Sequence, residues 1–93
     1  MHKLTDDQII HRLQEIKHRF SYNQGQLIAE FKFISFAEAF GFICKIAIHA
    51  AELKHFPIWS QNNQKVKISL YTESVKGLTE KDFEIAKIIL IYV

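Results

Sequence analysis

Five histidines are the side chains of this sequence best suited to exchange protons near neutral pH. His2, His11 and His18 lie in or beside a polar amphipathic segment, and we expect them at the surface. His49 and His55 are six residues apart, which places them on different sides of a helix. No grouping of His, Cys, Asp and Glu has metal-site spacing, and no phosphate loop or nucleophile elbow occurs. We therefore expect a single imidazole, rather than a metal or a nucleophile, to carry any chemistry.

All three predicted helices begin at a cap residue, and two of them are the first and the last helix. Thr5 followed by Gln8 is a capping box, and apolar residues then recur at helical spacing, which predicts an amphipathic helix over residues 6–18. Thr79 can cap the last helix, whose first turn contains Glu80 and other charged residues.

The longest predicted helix spans residues 35–54, from a Ser35 cap to the breaker Pro57. Its apolar residues fall on two sides. One side contains Phe36, Ala39, Phe40, Ile43 and Ala47, and the other contains Phe42, Ile46, Ala50 and Leu53. A helix that is apolar over so much of its circumference must be covered twice. We expect the sheet on one side and a second subunit against Phe42, Ile46 and Ala50, in a homodimer or homotetramer.

The strands are predicted in two hairpin-like pairs. Residues 20–23 and 26–33 flank Gly25, which can supply the positive φ of a hairpin turn. Trp59 begins another extended segment, and residues 65–70 alternate polar and apolar side chains, as in a half-buried strand. The order α-β-β-α-β-β-α predicts an α+β fold, a four-stranded antiparallel sheet with three helices on one face. We expect one domain over residues 1–93.

Composition narrows the class of protein. The formal charge is +2 without a basic run, which argues against nucleic-acid binding. No apolar run is long enough to cross a bilayer, and the N-terminal residues lack the apolar core of a signal peptide, so we expect a cytoplasmic protein without a membrane partner. The 48% apolar content and eight Phe are high for 93 residues and favour an oligomer. The single Cys44 is expected to be a small core residue.

Four segments in this order resemble the pterin-4a-carbinolamine dehydratases: residues 39–42, 55–59, 65–70 and 77–82. The resemblance covers nearly the whole chain. It implies a hydro-lyase that removes water from 4a-hydroxytetrahydropterin and yields quinonoid dihydropterin, with neither metal nor organic cofactor. Such chemistry needs an acid to protonate the departing hydroxyl and a base to accept the N5 proton. The family supplies three histidines for this work.

The resemblance weakens at those histidines. A His-His-Pro motif of the family is here His55-Phe56-Pro57, and the third histidine position follows the last strand in Thr72-Glu73. An acidic position is occupied by Ala51 and an aromatic one by Asn63, whereas Asp82 matches. The departures cluster at the implied pocket while the core segments are kept, as in a scaffold with altered chemistry.

His55 is the predicted principal acid or base, although a histidine at a helix end can also bind the last carbonyls. Glu73 is a candidate replacement acid, since a carboxylic acid in a desolvated pocket can take that role, or else a solvated loop residue. Phe56 cannot exchange a proton, and we expect its ring to pack against neighbouring side chains or to form a wall of the pocket. The predicted substrate-binding residues are His55, Phe56, Pro57, Thr72, Glu73, Ser74 and Val75.

Two functions follow from this pattern. The first is a pterin dehydratase weakened by the loss of two imidazoles. The second is a catalytically inactive relative that serves as a ligand-binding or protein-interaction module. Turnover of the pterin substrate distinguishes them.

Overall fold

A computed structural model describes residues 2–16 and 18–93 of the chain. The elements are α1 (Asp6–Glu15), β1 (Ser21–Asn23), β2 (Gln26–Lys32), α2 (Phe36–Leu53), β3 (Ile58–Asn62), β4 (Lys65–Leu70) and α3 (Glu80–Ile91), with a 3-10 turn at Glu73–Val75. This order confirms the predicted α+β class. None of the helices in the described ranges is long and apolar enough to cross a membrane.

The four strands form one antiparallel sheet in the order β1-β2-β4-β3. The β1-β2 hairpin turns through Gln24 and Gly25, both with positive φ (52° and 80°), as the tight turns that match the twist of paired strands require. In this strand order β2 and β4 are central, and β1 and β3 are the edge strands. β3 follows directly after the segment that contains His55.

Strand alternation separates the two faces of the sheet. Val66, Ile68 and Leu70 of β4 are buried, while Lys65 and Lys67, which alternate with them, are exposed. The same alternation in β2 directs Leu27, Ala29 and Phe31 to the helical side. Because one face is polar and the other packs against helices, the core lies in a single layer between sheet and helices.

α1 begins at the predicted capping box but is shorter than predicted. The backbone N–H of Thr5 donates to Gln8 Oε1 (2.8 Å), and that of Gln8 donates to Thr5 Oγ1 (3.2 Å). The helix ends at Glu15 instead of residue 18, and His18 adopts a left-handed conformation (φ 57°). The remaining predicted position, 17, lies outside the described residues. Burial of Ile16 beside this turn fixes where the chain leaves the helix.

α2 is rotated differently from the sequence-based expectation. Phe42, Ile46 and Ala50 are buried inside this chain, so the prediction that they face a second subunit is wrong. Cys44 is exposed, so its assignment to the core is also wrong. The outward apolar side chains of α2 are Phe36, Phe40 and Ile48, which are 59%, 54% and 62% exposed. The buried residues combine members of both predicted sides, since Ala39 and Ile43 of the first side are also buried. Both sides are apolar in sequence, and only packing in the folded chain selects which of their residues face inward.

At the C-terminal end of α2 the chain turns back on itself through hydrogen bonds to the last turn of the helix, and this turn positions His55. Lys54 adopts a left-handed conformation (φ 55°), and its N–H donates to the carbonyl of Ala51 (3.3 Å). The N–H of His55 donates to the carbonyl of Ala50 (3.1 Å). These two bonds are those of a Schellman motif, which usually has glycine at the left-handed position.

Lys54→Gly is expected to stabilise the protein by about 0.5–1 kcal/mol, because relief of the left-handed strain at residue 54 outweighs the greater conformational entropy that glycine gives the unfolded chain. Urea unfolding of purified protein measures this difference. Lys54→Ala is the control, since it removes the charged side chain but keeps Cβ and the strain. Equal stability of the two variants would contradict the assignment of strain to Lys54.

Candidate functional site

His55 lies directly after α2 and contacts the first turn of α3. Its side chain is only 10% exposed, and Nε2 lies 2.5 Å from Oδ1 of Asp82, whose side chain is fully buried. A carboxylate only accepts hydrogen bonds, so Nε2 carries a hydrogen and donates it to Asp82. The pair holds the imidazole ring in one place at the edge of the core.

The second oxygen of Asp82 binds the start of its own helix and the end of the sheet. Oδ2 accepts the hydroxyl hydrogen of Thr72 (2.6 Å) and the backbone N–H of Thr79 (2.9 Å). The Thr72 and Thr79 hydroxyls are also 3.0 Å apart. The carboxylate therefore has three donors, which compensate the cost of burying its charge.

Thr72 is placed by a closed loop after β4. Its N–H donates to the carbonyl of Gly77 (2.8 Å), and the N–H of Gly77 donates back (3.3 Å). Thr72 is 4% exposed, so its hydroxyl faces the core network. The enclosed residues Glu73–Val75 form the 3-10 turn, with Lys76 left-handed (φ 53°) at its end. The loop thus pins one end to the core and leaves its middle at the surface.

The other predicted site residues lie at the surface on either side of this network. Glu73 and Ser74 are exposed and Val75 is half-buried, and Glu73 shares no hydrogen bond or ion pair with His55. Phe56 is 69% exposed and Pro57 is half-buried. The structure joins His55 and Thr72 through Asp82, and it leaves the remaining predicted residues without a direct link to the imidazole.

Other groups that could do chemistry are separate from this network. His49 Nε2 forms a hydrogen bond with the hydroxyl of Tyr92 (2.9 Å), so His49 and His55 have different partners. Among the described residues no three His, Cys, Asp or Glu side chains lie close enough together to hold a metal ion. Five surface cavities in the same ranges are lined by residues other than 55–57 and 72–75. The buried imidazole–carboxylate pair is thus the arrangement best suited to proton transfer.

Comparison with known proteins identifies the family. Residues 2–90 match the family model described as pterin 4 alpha carbinolamine dehydratase. Relatives provisionally named pterin-4-alpha-carbinolamine dehydratase are 37% identical in Burkholderia orbicola and 39% identical in Prochlorococcus marinus. These alignments cover 96% and 94% of this chain and 88% and 91% of the relatives. The chain belongs to the pterin-4a-carbinolamine dehydratase family.

Solved structures agree with this assignment. A transcriptional coactivator/pterin dehydratase from Brucella melitensis superposes with a TM-score of 0.94 at 28% identity and covers 98% of both chains. A pterin dehydratase-like protein, a RuBisCO assembly factor in the alpha-carboxysome, gives a TM-score of 0.66 at 21% identity, over 80% of this chain and 86% of that one. The second similarity concerns the fold alone.

The partner of His55 was missing from the residues predicted for the site. Asp82 matches the family pattern, but as an acid in the first turn of α3 it is equally explained by the helix dipole. Only the packing of α3 against the end of α2 turns its side chain to His55. The signals available in the sequence were the family match and its position three residues after Thr79.

Asp82→Ala is expected to lower the free energy of unfolding by about 2–4 kcal/mol, because His55, Thr72 and Thr79 lose their buried acceptor. Urea unfolding measures the change. Glu84→Ala, which removes an exposed carboxylate two residues along α3, is expected to stay within about 0.5 kcal/mol of wild type. Similar effects of the two substitutions would show that the buried network contributes little.

Proposed function

We propose that this protein dehydrates a 4a-hydroxytetrahydropterin to the quinonoid dihydropterin, with His55 as its principal acid or base. The observation that carries the proposal is the His55–Asp82 pair, an imidazole held in one orientation at the edge of the core. Membership of a dehydratase family supplies the reaction class.

The dehydration requires two proton transfers. The C4a–O bond breaks with the hydroxyl leaving as water, and N5 loses its proton as the C4a–N5 double bond forms. Protonating the leaving hydroxyl and accepting the N5 proton each suit an imidazole. A ring fixed by Asp82 is held ready for such a transfer, because less orientational freedom must be lost in the transition state.

The substituted positions set an expectation for the rate. Phe56 stands where the family has its second histidine and cannot transfer a proton. Glu73 stands at the third histidine position and is exposed at the surface loop. General acid–base groups contribute roughly 10²- to 10⁴-fold each, so this site should be slower than one with three imidazoles unless Glu73 acts in place of one.

A second candidate function is an interaction module that keeps the fold without turnover. Phe56 and Ile58 flank Pro57 and are 69% and 72% exposed, an apolar surface beside the site of the kind that protein partners cover. The Brucella protein is described as a transcriptional coactivator and pterin dehydratase, and the carboxysome protein as a RuBisCO assembly factor. Binding of a pterin or a protein without dehydration would favour this function.

The outward stripe of α2 supports a homodimer or homotetramer formed through this helix. Phe36, Phe40, Cys44 and Ile48 recur every four residues along its exposed side. Three large apolar side chains on one solvent-facing stripe are typical of a covered surface. We therefore keep the proposed interface on residues 35–54 and assign its contacts to this stripe.

The dehydratase proposal is tested by the dehydration rate of chemically generated 4a-hydroxytetrahydropterin. Wild-type protein should accelerate the reaction, and His55→Ala should reduce the catalysed rate by about 10²- to 10⁴-fold. His49→Ala, which removes an imidazole outside the site, is the control and should act like wild type. Loss of rate in Glu73→Gln would assign the carboxylate a catalytic role. A rate equal to that of buffer would refute the dehydratase proposal.

The interface is tested by light scattering coupled to size exclusion. Wild type should have a mass that is a multiple of 10.9 kDa, and Phe40→Asp and Ile48→Asp should give monomers, because each buries a charge in the contact. Ile10→Asp is the matched control, since Ile10 is 60% exposed on α1. A wild-type monomer at micromolar concentration would contradict the proposed interface.

A further inference from the structure

The hydrogen bonds behind His55 have a fixed direction. The Thr72 hydroxyl donates its hydrogen to Asp82 Oδ2, so in the 3.0 Å contact with Thr79 it must be the acceptor. The chain of donors runs from the Thr79 hydroxyl to Thr72 and from Thr72 to Asp82. His55 Nε2 donates to the other oxygen of the same carboxylate. Every hydrogen in this network points towards Asp82.

This direction decides which nitrogen of His55 is available. With its hydrogen on Nε2, the neutral ring has its lone pair on Nδ1. Every buried side-chain nitrogen and oxygen in the described ranges has a hydrogen-bond partner. Nδ1 has no hydrogen-bond partner among those residues, so it must lie at the accessible edge of the ring. Nδ1 therefore faces outward while Nε2 is committed to the core.

We infer that Thr72 is a positioning residue, which acts through Asp82 to hold neutral His55 in the Nε2–H form and leaves Nδ1 as the nitrogen that exchanges protons. For catalysis the inference rests on the proposed dehydratase function. For the ring itself it stands on the hydrogen-bond geometry alone. It assigns Thr72 a different task from lining the substrate site, since its hydroxyl both donates and accepts within the core.

The effect of Thr72 follows from the two oxygens of the carboxylate. Without the Thr72 hydroxyl, Oδ2 keeps only the backbone N–H of Thr79, and the Thr79 hydroxyl loses its acceptor. The carboxylate can then rotate away from Nε2, which removes the bias towards one tautomer. Thr72→Ser keeps the donor, whereas Thr72→Val keeps the shape and removes it.

The first test is nitrogen NMR of the histidine side chains over a pH titration, which needs no substrate. In wild type and Thr72→Ser, neutral His55 should carry its hydrogen on Nε2, and Nδ1 should gain the proton as the pH falls. Thr72→Val should show a mixture of tautomers. Wild-type His55 in the Nδ1–H form, or a Thr72→Val spectrum identical to that of Thr72→Ser, would overturn the inference.

Thr79→Val separates positioning from packing. It makes the same hydroxyl-to-methyl change in the same buried network, but Thr72 and the backbone of residue 79 still donate to Asp82. It should lose stability in urea unfolding and retain the wild-type tautomer. A tautomer change as large as in Thr72→Val would count against a specific role of Thr72. If Thr72→Val folds poorly, the tautomer of wild type and of Thr72→Ser still tests the inference, since the Nδ1–H form in either would overturn it.

Kinetics provide the second arm. If the protein dehydrates pterin, Thr72→Val should lower kcat by about 10- to 100-fold with a smaller change in KM. A misplaced base weakens stabilisation of the transition state more than it weakens substrate binding. Thr72→Ser should restore most of kcat. Unchanged kcat in Thr72→Val would overturn the positioning role. Absence of turnover in wild type would refute the proposed function, and the NMR result would still decide the tautomer.

Discussion

The candidate site depends on the hydrogen bonds that the buried carboxylate of Asp82 accepts. Its donors come from three places in the fold: His55 after α2, Thr72 after β4 and Thr79 before α3. A carboxylate removed from water without donors would be strongly destabilising. The ends of the three elements must therefore meet with their donors in place. This requirement fixes the imidazole at the same time as it closes the corner of the core.

The backbone delivers these donors through two tight reversals. Lys54 turns the chain back at the end of α2, and Lys76 ends the loop that returns to Thr72. Gly77 is buried in the same corner, and an added Cβ there would lie 2.6 Å from a side-chain carbon of Lys3. The N-terminal segment thus covers the loop closely. The groups that hold the imidazole are buried, whereas Phe56 and Glu73, which depart from the family pattern, are exposed.

That division suits a family in which one fold serves more than one task. The parts kept here are those that satisfy a buried charge, and they are needed for stability whatever the protein does. The altered positions, Phe56 and Glu73, are exposed and can change without loss of the core. The buried His55–Asp82 pair supplies one fixed imidazole. The residues at the exposed positions 56 and 73 decide how many further proton-transfer groups a dehydratase built on this scaffold would have.

The sequence by itself determined the elements of the fold, because capping boxes, breakers and strand alternation act over a few residues. These local rules placed the Thr5 cap and strand 65–70 correctly. Resemblance led to the family and to the proposal of His55 as the principal acid or base. The tertiary structure decided what depends on distant packing: which apolar residues of α2 face inward, and that Asp82 turns to His55, 27 positions away. Both stripes are apolar, and Asp82 also satisfies the local rule for a helix start. Only the approach of α2, β4 and α3 selects one outcome, because burial and hydrogen-bond satisfaction are properties of the assembled core.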